Sequence, residues 1–389
     1  MYRIGKEEIQ ELEKLFATGK LFRDQSVLKE VSNFEKEWAE KIGTKYSLAV
    51  TGGTSAIICA LAGLGIGPGD EVIVPAHTFM ATATAVLVVG AIPVIAEIDE
   101  TTTIDPVDME KKISKHTRAI IPVHMRGFPC DMERIMQVAR KYDLKVVEDA
   151  CQADGGSFKG KRLGAWGDVG AFSFNYYKII SCGEGGAITT DDYDTFERSM
   201  MYHDGGAAWR TYTSELKSPV FVGTQLRFSE ILGAVMRIQL QRLDGILGDL
   251  RKNKKSLMSK IAGHKGVKFT PSNDPEGDCG SVLGLQFESE AKLRAFVSNG
   301  VKGLIGIDSG KHVYSQWDSL IEKRVGHHKH MNPYLMEANK GLNIDIKRDS
   351  CPRTLDILSR TLYINTNPDW TEQDVEREAA NIIQAAEKI

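Results

Sequence analysis

The chain has 389 residues, too many for one small core, so two domains or one large domain with an appendage are expected. Charged residues make up 26% of it and the formal net charge is −3, a balance that gives no reason to expect nucleic acid or an anionic membrane surface as a partner. Six scattered cysteines with no CxxC pair argue against a disulfide framework and for a cytoplasmic protein with reduced thiols. The N-terminus lacks the apolar run of a signal peptide. The most apolar stretch, residues 81–96, holds Gly90 and Pro93, so it reads as a buried helix and a strand and not as a membrane span.

Taken in order, residues 5–17 and 26–41 are amphipathic helical patterns, the second ending near Gly43. Tyr46–Val50 reads as a strand, Thr51-Gly-Gly-Thr-Ser55 as a turn, and Ala56–Leu64 as a helix stopped by Gly65 and Gly67-Pro68-Gly69. Strands follow at Glu71–Pro75, Ala91–Ile98, Ala119–His124 and Lys145–Glu148, with helices over Thr82–Val89 and Met132–Tyr142. Two further strands, Ala171–Phe174 and Ala187–Thr190, flank a turn that carries Lys178 and a glycine-rich bend at Gly183, Gly185 and Gly186. The βαβα succession, with Val/Ile-rich runs that do not alternate, predicts a mainly parallel sheet covered on both faces. Glu230–Leu250 is a long helical pattern without proline, a connector to a second region containing a strand at Ser281–Phe287 and helices over Lys292–Asn299 and Thr371–Lys388. The expected division is a large domain over 1–245 and a small one over 246–389.

Three stretches carry candidate chemistry. Thr51-Gly-Gly-Thr-Ser55 joins a strand to a helix through glycines and hydroxyls, an arrangement that aims backbone N–H groups at a phosphate, although Ser and Thr are also ordinary helix caps. Lys145-Val-Val-Glu-Asp149 is a buried type of strand ending in two carboxylates, where ligands of open α/β sheets gather. Lys178, flanked by apolar and aromatic residues, is the third. Gly326-His-His-Lys-His-Met-Asn332 offers no acidic or cysteine partner at ligand spacing, so no metal is expected there.

Gly53-Thr54, Glu148-Asp-Ala-Cys-Gln152, Phe172-Ser-Phe-Asn-Tyr-Tyr-Lys178 and Gly183-Glu-Gly-Gly186 occur in one order and at one spacing. Together they resemble the DegT/DnrJ/EryC1/StrS family of pyridoxal-phosphate sugar aminotransferases, which have the aspartate aminotransferase (type I) fold, with a smaller C-terminal α+β domain. The resemblance implies that Lys178 is the Schiff-base lysine, that Asp149 pairs with the pyridine nitrogen, and that Gln152 lies near the phenolic oxygen of pyridoxal 5′-phosphate. It places Thr54, Ser55 and Ser173 with Gly53 at the phosphate, and Phe79 on the face of the ring. Gln225, in Gln225-Leu-Arg-Phe-Ser-Glu230, stands where the family commonly has an Asn that reaches the phosphate from the partner subunit, which implies a homodimer.

One branch of the family replaces the lysine by His and dehydrates its substrate; retention of Lys178 implies amino transfer, with L-glutamate as donor and a keto or aldehyde sugar as acceptor. Arg126, Glu184, His312 and Tyr314 are the candidate substrate-facing residues. In His124-Met-Arg-Gly127 a guanidinium replaces the phenol usual in the family. Arg126 reads either as a surface charge or as the reader of a carboxylate on donor or acceptor. With His312-Val-Tyr314 it implies an 8-oxo-3-deoxy-manno-octulosonate acceptor giving the 8-amino sugar. A nucleotide-linked 3- or 4-keto deoxysugar is the alternative acceptor, and a non-catalytic cofactor-binding regulator the alternative of another class.

Overall fold

A computed structural model describes residues 2–206 and 216–389. Helices α1 (Lys6–Thr18) and α2 (Glu30–Ile42) precede β1 (Tyr46–Val50). Then α3 (Gly53–Gly63), β2 (Glu71–Pro75), α4 (Ala81–Val88), β3 (Ile92–Ala96), α5 (Pro106–Lys111), β4 (Thr117–Ile120), α6 (Met132–Lys141) and β5 (Lys145–Asp149) alternate. A short hairpin of β6 (Ser157–Phe158) and β7 (Lys161–Arg162) leads to β8 (Val169–Ser173), β9 (Gly186–Thr190) and α7 (Tyr193–His203). The chain continues with α8 (Glu230–Ile261), β10 (Val282–Gln286), α9 (Glu290–Ser298), β11 (Leu304–Ile305), α10 (Asp318–Ile321), α11 (Pro352–Ser359), β12 (Thr361–Asn365) and α12 (Glu372–Ala386).

The large sheet has seven strands in the order β1-β9-β8-β5-β4-β2-β3. Only β9 runs against the others, pairing antiparallel with both β1 and β8, so the expected mainly parallel α/β sheet is what forms. Strands β2, β3, β8 and β9 are buried at every residue, which is why their sequences are continuous apolar runs and not alternating ones. On one face pack α3 and α4 residues such as Ile57 and Val86; on the other pack Phe34 and Trp38 of α2, Ile135 of α6 and Leu243 of α8. Among the described residues no helix is long and apolar enough to cross a membrane.

A second, three-stranded antiparallel sheet, β10-β12-β11, builds its own core with Leu257 and Ile261 of α8, Phe296 of α9 and Ile382 of α12. Residue 245 lies inside α8, whose first half packs in the large core and whose last turns pack in the small one. Val313, Tyr314, Trp317 and Leu320 return to the core of the large sheet.

Four boundaries differ from expectation for identifiable reasons, one of them the start of α2, expected at residue 26 and found at Glu30. Residues 121–124 stay beside β5, with the His124 N–H on the Asp149 carbonyl at 3.0 Å, but Pro122 has no N–H to continue the ladder and β4 ends at Ile120. The helix after the glycine turn begins at Gly53 and not at Ala56, which puts Thr54 and Ser55 in its first turn. α8 runs to Ile261 where the pattern suggested Leu250, because Leu250, Leu257 and Ile261 keep the buried stripe among many lysines.

α2 begins at Glu30 because Lys29 takes a left-handed conformation (φ 53°), and its first N–H groups are capped from a distance. The buried Glu230 carboxylate accepts from Glu30 N–H at 2.7 Å and Val31 N–H at 3.2 Å. A Cβ on Gly233 would lie 2.8 Å from the Val31 nitrogen, so glycine lets the two helices meet. Glu230→Ala removes this cap, and urea denaturation is expected to register a loss of about 1–3 kcal/mol.

Candidate active site

The carboxyl ends of the parallel strands open into a cavity of about 860 Å³. It collects Gly53, Thr54, Ser55, Phe79, Arg126, Asp149, Gln152, Ser173, Lys178, Glu184 and His312 from distant parts of the sequence.

Asp149 ends β5, and its side chain is almost fully buried. Its Oδ2 accepts from Thr82 Oγ1 at 2.7 Å and its Oδ1 from the Cys151 N–H at 3.2 Å. Thr82, in the first turn of α4, in turn sits 2.7 Å from the hydroxyl of Thr78 in the preceding loop, so two hydroxyls in series orient the carboxylate. Burial, followed by the Asp149 charge, pushes the Cys151 thiol well above its ordinary value, and it remains a neutral neighbour. Glu148, one residue earlier, faces the opposite way. Its buried carboxylate accepts N–H groups from Gly164, Trp166 and Gly167 and lies 3.1 Å from His124 Nε2.

Lys178 stands half-buried in the turn after β8. Asn175 builds that turn: its carbonyl accepts the Lys178 N–H at 2.9 Å, its Oδ1 the Tyr177 N–H at 3.1 Å, and its Nδ2 donates to Glu184 Oε1 at 3.1 Å. Tyr176 N–H to the Gly183 carbonyl, at 2.9 Å, closes the loop on the glycine bend.

At the other wall α3 starts with no side-chain cap on its first turn, and its N-terminus faces the cavity beside Ser173. A Cβ on Gly53 would fall 2.8 Å from Ser173 Cβ and 2.9 Å from Cys151 Sγ, so the approach requires glycine. Uncapped N–H donors and the helix dipole suit a dianionic phosphate. An oriented carboxylate and a lysine line the same space. The residues present therefore fit pyridoxal phosphate, which would have its phosphate at Gly53–Ser55 and Ser173 and its ring nitrogen toward Asp149. Gln152 commits its Oε1 to the Arg126 N–H at 3.1 Å, leaving its amide end as a donor.

Phe79 is partly exposed and lines the cavity with its ring 5.3 Å from that of His312. His312 is brought there by pairing of its segment with the stretch that follows β2, through Met80 N–H to the Lys311 carbonyl at 2.9 Å and the His77–Val313 bridge. Tyr314 is not in the cavity. It is fully buried in the large core, its hydroxyl donating to the Arg348 carbonyl at 2.9 Å and accepting the Cys351 N–H at 2.8 Å. The expectation of a substrate-facing pair fails because the two residues belong to separate 3-10 turns, and that of Tyr314 packs into the large core while His312 stays at the cavity. Gln225 is exposed and outside the cavity of its own chain, bridged to Asp204. Arg126 is no surface charge: its Nε and one Nη are buried, and its guanidinium lies 4.3 Å from the centre of the Tyr363 ring.

Sequence reasoning missed Thr82 and Asn175. Thr82, in the first turn of the helical pattern that follows Thr78, was the legible signal, whereas Asn175 reads as an ordinary turn residue.

A profile of the DegT/DnrJ/EryC1/StrS aminotransferase family matches residues 2–382. The spore coat polysaccharide biosynthesis protein SpsC of Bacillus subtilis is 33% identical over 99% of this chain and 95% of its own. The dTDP-3-amino-3,4,6-trideoxy-alpha-D-glucose transaminase of Streptomyces venezuelae is 41% identical over 63% of this chain and 65% of its own. Among solved structures, that of S. venezuelae DesV in complex with a ketimine intermediate has a TM-score of 0.78 at 31% identity, covering 98% of this chain and 95% of that one. That of 3-amino-5-hydroxybenzoic acid synthase has a TM-score of 0.80 at 25% identity over 100% and 98%.

Because Gly53 has no room for a side chain, Gly53→Val is expected to displace Ser173 or the start of α3. Fluorescence titration with pyridoxal phosphate should then give a dissociation constant raised roughly tenfold or more, about 1.4 kcal/mol.

Proposed function

The chain belongs to the DegT/DnrJ/EryC1/StrS aminotransferase family, whose members are pyridoxal-phosphate enzymes, and from that premise we propose that it moves the amino group of L-glutamate to the carbonyl of a sugar. The observation that carries this reading is the convergence of Lys178, Asp149 and the uncapped start of α3 on one cavity.

Bound there, the cofactor supplies an electron sink for the pair left when a substrate carbon loses its proton. Asp149 would face the pyridine nitrogen and favour its protonated form, and the Thr82 hydroxyl keeps the carboxylate aimed. Lys178 Nζ would hold the cofactor and, freed as an amine once the donor is bound, would act as the base that takes the proton from the donor's Cα and as the acid that gives it back. The same residues serve the acceptor in reverse, so the kinetics are ping-pong. Thr54, Ser55 and Ser173 would hold the phosphate, and Phe79 would pack against the ring.

The acceptor is a keto or aldehyde sugar. Relatives named for dTDP- and GDP-linked amino sugars support a nucleotide-linked keto sugar. The other reading is an 8-oxo-3-deoxy-manno-octulosonate sugar acid, which the buried charge of Arg126 supports if that residue reads the acceptor and not the donor. A homodimer accounts for Gln225, which would complete the phosphate site of a second copy.

Lys178→Ala is expected to lower glutamate-driven turnover by orders of magnitude, since both the covalent link and the proton carrier are lost. Borohydride should fix the cofactor to the peptide holding Lys178 in the parent enzyme only, and substantial turnover of the variant would end this reading. Asp149→Asn should keep the fold and bind cofactor yet slow the half-reaction with L-glutamate severely, as followed by cofactor absorbance. A regulator without catalytic function would give no absorbance change with L-glutamate in the parent protein.

A further inference from the structure

We propose that Arg126 is the subsite for a substrate carboxylate, an inference that rests on the amino-transfer reading above. The guanidinium lines the cavity next to Gln152, whose side chain binds the Arg126 backbone N–H. Nε and Nη2 are buried and have no hydrogen-bond partner, and no carboxylate among the described residues forms an ion pair with Arg126. A buried cation left without an anion is costly, and the cost is removed when a ligand brings the anion.

The surroundings hold this arrangement in place. Arg126 adopts a left-handed backbone (φ 56°) followed by Gly127 at φ 84°, a sparsely populated conformation that persists where neighbours impose it. Its carbonyl accepts from Ser281 Oγ at 3.3 Å, its N–H binds Gln152, and its plane rests on Tyr363. The nearest ionisable groups do not supply the missing charge. Burial, and then the Arg126 charge, lower His77 to about 3, so it stays neutral, and burial raises the Tyr363 hydroxyl to about 12. His312, also lowered by burial first, adds no second cation.

The fork is planar and recessed, and it suits two parallel bonds to the two oxygens of a carboxylate. The pyrophosphate of a nucleotide sugar is flanked by bulky groups on both sides, whereas a carboxylate is terminal and reaches a recessed donor. In a ping-pong cycle donor and acceptor occupy the cavity in turn, so the carboxylate belongs to L-glutamate, to a sugar acid, or to each in its own half-reaction.

The test compares the cofactor-loaded parent enzyme with Arg126→Met. Calorimetric titration with glutarate, a donor mimic that cannot react, and with 3-deoxy-manno-octulosonate reads binding without turnover. Loss of the charge-assisted pair should weaken one or both roughly ten- to a hundredfold. Weakening of glutarate alone, together with a slowed half-reaction with L-glutamate, assigns the carboxylate to the donor. Weakening of the sugar acid alone assigns it to the acceptor, and weakening of both assigns it to each. Arg126→Lys keeps the charge without the fork; it is expected to lose part of the affinity and carries the same test should the methionine variant not fold. Unchanged binding of both probes overturns the proposal, as does a loss confined to a nucleotide-linked keto sugar. Amino transfer itself is read separately, from the absorbance response of the parent enzyme to L-glutamate, so its failure is distinguishable from failure at Arg126.

Discussion

Two adjacent carboxylates end the central strand β5, and the alternation of side chains along that strand turns them to opposite sides. Glu148 gathers three backbone N–H groups of the segment 164–167, and those bonds fix the approach to β8. β8 delivers Ser173 and the Asn175 turn, and therefore Lys178, to the cavity into which Asp149 points. One strand end thus anchors the scaffold with one carboxylate and serves the site with the next. A buried carboxylate is tolerated here only because each oxygen has donors, four groups for Glu148 and two for Asp149.

The order of elements, the parallel sheet and the placing of Lys178, Asp149 and the glycine turn were legible because they rest on local pattern: apolar runs, glycine punctuation and strand ends. What depended on long-range contact was not. Nothing in the sequence near Arg126 says that Tyr363, more than two hundred residues away, lies under its guanidinium, so a surface charge remained open. His312 and Tyr314 looked equivalent by spacing, and only the 3-10 turns on either side of Val313 separate a cavity residue from a core residue. The cap that Glu230 gives α2 is likewise invisible in the sequence, because Lys29, which stands at the cap position, offers no acceptor.

The cavity also separates its tasks in space. The helix start and Ser173 form an anion-binding end, Asp149 a negative floor, and Arg126 a positive wall that meets the small sheet through Ser281. Relatives of related fold act on differently substituted sugars, and the 3-amino-5-hydroxybenzoate synthase of Amycolatopsis mediterranei on another kind of product, as their names state. Such variety is expected when the covalent chemistry sits on β5 and β8 and the remaining wall comes from other elements.

α8 carries a mechanical consequence. Its 32 residues form one hydrogen-bonded rod about 48 Å long, with Leu243 and Leu247 in one core and Leu257 and Ile261 in the other. Val282 and Asn365, which line the cavity, belong to the small sheet, and Ser281, which lines it too, immediately precedes β10. The two sheets that contribute to the cavity are thus joined by one unbroken helix, so a change in its curvature would change the spacing of their lining residues.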